Sequence, residues 1–565
     1  MDLLLDLYGF ASVLLHAAAL VARTALLGSV AFWLALALPL GRRLPAAEAA
    51  RLGAIARRAV LLAGAAAFGL TLLTTTLTTL VLQATLQAPL AGALGADFAR
   101  AGAAALLATV LLVGLSLPRR APGAARQAAL ALAALALLAA ATATSHAMAR
   151  VEGRGALLAA TALHQLGAAL WLGGLPALLA ALRLPAPAAR RVGRRYSALA
   201  ATGVGLILLG IAGFWGGYFG GVEALYGTAY GAMSSTKAVL LGLLLLLGLA
   251  NFLLLHAMAP SPRSAGAAAV GGGDGGLRRL RRFVECEIAL GIGVLAVAGS
   301  LTSVPPAVDL PEDRLAWSEI RERFTPRPPR LTSPDHGDLA IPALQAQLDA
   351  EWQRRQDAQQ TRPLAFTPGE GLLPPLNAQD IAWSEYNHHW AGLVVLLVGL
   401  AALLDATGRV PWAQHWPLLF LALSAFIIIR GDPDTWPLGP IPFLDGLRNP
   451  ETLQHKLLGL LVAGFALSEW AVRLGWLGGG ARYVFPLSML TGGVLLLSHT
   501  HALANYKEAL LIELSHLPLA VFALVAGCAR WTELRGPRAL AVRARWIWPV
   551  CLLLTGYMLV TYREA

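Results

Sequence analysis

Apolar residues run through this chain in blocks of about 20, the length a helix needs to cross the hydrocarbon core of a bilayer, and polar residues are confined to the stretches between them. The pattern predicts spans at Phe10–Leu38, Ala59–Gln83, Ala99–Leu117, Arg126–His146, Ala156–Leu182, Ser197–Trp215, Thr236–Met258, Val284–Ser303, His388–Asp405, Gln414–Ile429, Thr452–Arg473, Arg482–His501, Ala509–Ala529 and Arg545–Thr561. The strict alternation of a membrane barrel is absent. The expected fold class is therefore all-α: a polytopic transmembrane helical bundle of about 14 spans, each helix satisfying its own backbone groups.

One interruption is much longer than the rest. Residues 304–386 are Pro-rich and charged ("FTPRPPRLTSPDHGD", "LDAEWQRRQDAQQ"). They divide the chain into an eight-span domain at 1–303, an external loop or linker at 304–386, and a six-span, His-rich domain at 387–565. Inside the linker, "IPALQAQLDAEWQRRQ" has helical spacing suited to the membrane surface or to a partner.

Composition agrees with a membrane protein. The 565 residues are 57% hydrophobic and only 13% charged. The net charge of +12 does not point to nucleic acid, because the arginines sit in short loops between spans; the expected partner is the lipid bilayer. Arg42, Arg43, Arg57 and Arg58, then Arg119, Arg120 and Arg126, then Arg190, Arg191, Arg194 and Arg195, then Arg278, Arg279, Arg281 and Arg282 mark alternate loops, and Arg530, Arg535, Arg538, Arg543 and Arg545 mark the last of the series. Positive charge stays in the cytoplasm, so these loops are expected inside, with both termini and the 304–386 loop extracytoplasmic. Three cysteines (Cys286, Cys528, Cys551) are too few and too scattered for a disulfide framework.

With that orientation the histidines gather on the outer side. His16, His146 and His164 lie there in the first half, with Met148 two residues after His146; His388, His389, His455, His499, His501 and His516 lie there in the second. Ionisable groups at membrane depth are costly and mark functional sites. Glu385, Glu451 and Glu513 precede His388, His455 and His516 by three or four residues, a spacing that puts carboxylate and imidazole on one helical face. Such a carboxylate orients a metal-ligating imidazole, or ligates a harder metal itself. Imidazole with thioether suits copper, the soft sulfur favouring Cu(I). Polar steps within the membrane are expected at Lys237, Glu285, Cys286 and Glu287, although the "ECE" run also fits an interfacial charge pair with the preceding arginines.

The stretches "LHQLGAALWLGGLPALL", "YSALAATGVGLILLGIAGFW", "YGTAYGAMSSTKAVLLGLLLLLGLANF" and "RRFVECEIALGIGVLAVAGSLTSVPPA" resemble the copper resistance protein D family. The marks are His164 with Trp171, Gly173 and Gly174; Tyr230 and Gly231 ahead of Lys237 and Asn251; and Glu287 ahead of Pro305 and Pro306. The second half, with "YNHHWAG", "QHKLLGLLVAGFALSEW" and "SHTHALANYKEALLIELSHLPLA", resembles the C-terminal extension of long bacterial members. The resemblance implies a multi-pass protein of the bacterial inner membrane that binds copper (Cu+ or Cu2+) from the periplasmic side and transports it without enzymatic chemistry. It also implies a small periplasmic copper-binding protein as partner. No GxxxxGK[ST] is present to drive pumping with ATP. Two other readings stay open. One is a membrane redox protein in which paired histidines of the second half ligate haem, or Glu-x-x-His units hold a di-iron-like centre. The other is a copper-binding assembly or sensing partner that moves nothing.

Overall fold

The computed structural model describes residues 2–87, 89–258, 272–311, 314–339, 354, 378–497 and 507–564. The protein is helical, and among the described residues the only β-type pairing is the single bridge Thr435–Ile441. Among the described residues, fourteen helices are long and apolar enough to cross a membrane: Leu7–Gly41, Ala46–Leu86, Asp97–Ser116, Ala124–Ala143, Arg154–Ala181, Ala186–Phe219, Ala229–Ala257, Gly275–Leu301, Ala378–Thr407, Pro411–Arg430, Glu451–Arg473, Gly479–Leu497, Leu510–Arg535 and Arg538–Val560. They are called here the first to fourteenth spans. Each coincides with an apolar block read from the sequence, and several run further. The second begins at Ala46 and the sixth at Ala186, so Arg51, Arg57, Arg58, Arg190, Arg191, Arg194 and Arg195 are helical rather than loop residues. Arginine is a good helix former, and its long stem lets a helix continue past the apolar zone.

The chain forms two compact units. One comprises residues 11–225 and 233–311; the other comprises 312–565 with Met1–Phe10 and Tyr226–Ala232.

In the first unit the fifth span packs against the second, fourth, sixth and eighth. Its α-helix loosens into a π turn at Ala169–Gly173 before resuming at Leu175–Ala181. Pro176 explains the break, since it has no N–H to give to the carbonyls one turn back. The Trp171 carbonyl instead accepts a hydrogen bond from the buried Tyr196 hydroxyl. The two glycines after Trp171 make room for this. A Cβ on Gly174 would lie 2.8 Å from the Tyr196 hydroxyl, and one on Gly173 would collide with the Thr24 backbone of the first span. The "WLGG" sequence is thus a packing device that brings three helices to backbone distance.

The second unit contains the six remaining spans in a closed ring, each packed on its sequence neighbours and the fourteenth returning to the ninth. Trp416, Phe420, Phe465, Phe485 and Trp548 fill its middle with edge-on and tilted ring contacts 4.9–6.0 Å apart. The up-and-down order gives the ring two chemically different ends. The ninth, eleventh and thirteenth spans begin at the histidine end and finish at the arginine end.

Residues 314–339 of the long connection belong to this second unit. A short helix, Trp317–Arg323, leads into a strap laid across the histidine end. The Arg330 N–H donates to His389 Nδ1 at 2.7 Å, Trp390 Nε1–H donates to the Leu331 carbonyl at 3.3 Å, and Arg430 donates to Ser333 at 2.8 Å. His336 Nε2–H reaches the Pro433 carbonyl at 2.5 Å. This part of the connection is bonded to the spans rather than running free as a linker. The helix expected at 341–356 lies outside the described residues apart from 354.

Candidate functional site

At the histidine end, His388 lies in the first half of the ninth span and His516 in the first third of the thirteenth. Each Nδ1–H bonds the carbonyl one turn back, Ser384 at 2.9 Å and Ile512 at 2.8 Å. This fixes both rings with Nε2 turned away from their own helices. The ring centroids are 5.7 Å apart at 76°. Two imidazoles that share one ion through bonds of about 2 Å sit within about 6 Å of each other, centroid to centroid. Tyr562 stacks on His388 at 3.8 Å and meets His516 edge-on at 5.9 Å. His455 and Arg323 lie within electrostatic range of both rings.

The carboxylates behave differently from their spacing. None of the three hydrogen-bonds the histidine that follows it. Glu385 pairs with Arg330 at 3.3 Å. Glu451 is exposed in the first turn of the eleventh span, and His455 Nδ1 instead meets Asp432 at 3.0 Å. Asp432 also holds Lys456 at 3.2 Å. Burial works against the Asp432 carboxylate, yet the His455 hydrogen bond and the charges of His455 and Lys456 hold it below the ordinary aspartate range. Glu513 is 2% exposed, and its Oε2 has no hydrogen-bond partner. A buried carboxyl oxygen without a partner is costly.

His389 is used differently from His388. Its Nδ1 accepts from the Arg330 N–H, and its Nε2–H donates to the Tyr562 carbonyl at 2.8 Å. Both nitrogens are committed to backbone, so this ring ties the strap and the end of the chain to the ninth span. His499 and His501 lie outside the described residues.

Sequence reasoning missed Arg323, Asp432, Tyr562 and Glu564. Arg323 comes from the connection, is 5% exposed, donates to Ser515 at 3.3 Å and lies 4.7 Å from the centre of the Tyr562 ring. Glu564 accepts from Tyr562 at 2.8 Å and from the Ser384 hydroxyl. Burial pushes its carboxyl up from the ordinary value, against the hydrogen bond from Ser384 and the Arg323 charge. All four are far in sequence from the histidines they surround, and no periodicity links them.

In the first unit each residue of the expected set has its own contacts. His16 is exposed and bonds the Ser12 carbonyl at 2.7 Å; His146 Nε2–H donates to the Leu301 carbonyl at 3.0 Å. Met148 faces an apolar groove between the fourth and fifth spans with Leu135, Leu138 and Leu158. His164 lies against Phe214, ring to ring at 5.4 Å, and within electrostatic range of Lys237. Glu285 pairs with Arg282 at 2.6 Å, the interfacial arrangement its position allowed. Glu287 points the other way, since two residues turn a helix by about 200°. It is 3% exposed, beside Asn251 and the Gly248 that opens onto Trp171. Cys286 is buried. Among the described residues, no group of three or more His, Cys, Asp or Glu side chains converges as a metal site.

Residues 190–301 match the family model described as copper resistance protein D. The copper transport protein CutJ of Bacillus subtilis (strain 168) is 34% identical over 158 residues, which is 26% of this chain and 26% of that protein. The match thus spans about a quarter of that relative's length. No solved structure matches. Neither match names haem or iron, and the haem and di-iron readings find no support in them. Fourteen spans and these matches make the chain a multi-pass, copper-related membrane protein. Through residues 190–301, which carry Tyr196, Lys237, Asn251 and Glu287, it is similar to the copper resistance protein D family.

Proposed function

We propose that this protein sits in the bacterial inner membrane, both termini outside, and moves copper from the extracytoplasmic side into the membrane. Copper is cargo in this reading, and a small extracytoplasmic copper-binding protein delivers it. The observation that carries the proposal is the family match over the spans that hold half-buried Lys237 and buried Glu287. Buried ionisable groups on membrane helices line pathways more often than they serve packing. His146 and His164, with His16 and Met148 at the same rim, take up the ion in the first unit. His164, Lys237 and Glu287 then provide polar steps inside it. In the second unit His388 and His516 form a capture pair, joined by His455; His499 and His501, outside the described residues, are further candidate ligands. Cu(I) accepts few donors, so two imidazoles suffice to hold it. His389 is left out, because both its nitrogens serve the backbone. Glu513 supplies the negative charge a bound cation would balance.

The test is copper stoichiometry and affinity of purified protein carrying His146→Ala with His164→Ala, or His388→Ala with His516→Ala. Each pair should lose copper without loss of folding. Unchanged copper binding in both double variants would overturn the assignment of these sites, and unchanged copper uptake by cells carrying Glu287→Gln would overturn the pathway.

A further inference from the structure

The opposite end of the six-helix ring carries a site that the copper reading does not use. Asp405 of the ninth span, Arg473 of the eleventh, Arg530 and Glu533 of the thirteenth, and Arg545 and Trp548 of the fourteenth enclose a cavity of about 250 Å³. This is far above the ~15 Å³ that one water requires. Two of the arginines are engaged. Arg473 holds Asp405 at 2.5 Å and Glu469 at 3.0 Å; Arg530 holds Glu469 at 2.7 Å and Glu533 at 2.8 Å. Trp548 Nε1–H donates to Glu533 at 2.8 Å, so this carboxylate is satisfied as well. Two donors are left over. Arg545 makes no hydrogen bond or ion pair among the described residues, and the buried Nε of Arg530 has no partner. The cavity wall therefore carries three guanidinium groups against two carboxylates, and Glu469 lies behind it at 1% exposure. Arg482, Arg535, Arg538 and Arg543 add positive charge at the same end.

We infer that this cavity binds a phosphate group, presented by an anionic lipid headgroup or as free phosphate. Guanidinium donors match phosphate oxygens in geometry, and basic pockets between helices at the membrane surface recognise phosphorylated headgroups. Trp548 supplies the floor and an interfacial anchor. The ion-pair network, with Glu469 as its third carboxylate, sets the shape of the cavity, and Arg545 supplies the one wall guanidinium that no carboxylate holds.

The experiment uses the full chain in detergent. Retention of phosphatidylglycerol and of phosphatidylcholine is measured by native mass spectrometry, and inorganic phosphate is titrated with thermal stability as the readout. Three variants accompany the wild type: Arg545→Gln, Arg545→Lys, and Arg543→Gln as an exposed neighbour outside the cavity. Arg545 has no partner to lose, so its variants should unfold at the wild-type temperature without ligand. Preferential phosphatidylglycerol retention that falls several-fold in Arg545→Gln, less in Arg545→Lys and not in Arg543→Gln identifies the lipid source. Stabilisation by inorganic phosphate that Arg545→Gln abolishes identifies the free anion. If Arg545→Gln and wild type respond alike to both probes, or if Arg543→Gln loses as much as Arg545→Gln, the site is refuted. None of these outcomes depends on copper.

Discussion

The two ends of the six-helix ring place charge in the membrane boundary by opposite means. At the arginine end every carboxylate of the buried cluster meets at least one guanidinium, and Glu469 is shared between Arg473 and Arg530. At the histidine end the imidazoles are anchored to backbone carbonyls, and the buried Glu513 carboxylate has an oxygen with no partner. Charges satisfied by one another hold helices together. A charge left without a partner holds a place for something else. The same ring therefore has one end tied together by ion pairs, with Glu469 Oε2 and Arg530 Nε left over, and one end where imidazoles bond backbone and a buried carboxylate oxygen has no partner.

The largest expected effect breaks the finished end. Glu469→Ala leaves two buried guanidinium groups short of their shared partner and should cost about 3–5 kcal/mol. A fall in unfolding temperature of the purified protein and poor recovery from the membrane would register it. An unchanged unfolding temperature would mean the network does not hold this end. Glu513→Leu should do the reverse. Removing an unsatisfied buried oxygen stabilises by about 1–3 kcal/mol in copper-free protein, while copper retention falls. Destabilisation instead would reveal that this carboxylate is bonded after all, and the contrast between the ends would collapse.

Arg323→Gln sharpens the comparison from the strap. The guanidinium lies within electrostatic range of His388 and His516 and repels a cation bound between them. Its loss should tighten Cu(I) binding several-fold in a chelator competition; unchanged affinity would place the ion elsewhere. The smallest effect concerns Asp432. Its carboxyl is depressed in the folded protein, so its pairing with His455 and Lys456 contributes stability above the unfolded aspartate value of about 3.9. That contribution is lost as pH falls through the lower folded value. Asp432→Asn should therefore be less stable than wild type near pH 6, with the difference shrinking as the pH drops below about 4. A difference that stays constant over that range would show that Asp432 acts through packing alone.

How much of this could be read in advance depends on the range of the interaction. Span positions follow from local hydrophobicity, because a bilayer selects any apolar block of sufficient length irrespective of its neighbours. The fourteen blocks and the all-helical class were legible for that reason, whereas the resemblance to the copper resistance protein D family rested on its quoted motifs. So was the placing of His388 and His516 in the leading part of two such helices. The spacing of Glu385, Glu451 and Glu513 was legible too, yet it named the wrong partners. Helical spacing brings two side chains to one face but leaves open whether a third group on another element competes for them. Arg330 won Glu385, Asp432 won His455, and the strap took His389 for backbone bonding. Sequence alone determined which residues lie in helices long and apolar enough to cross a membrane. Only the tertiary structure decided which of them meet, since six helices closing into a ring join residues as distant as Arg323 and Tyr562, or Asp405 and Arg473, through contacts that no local pattern encodes.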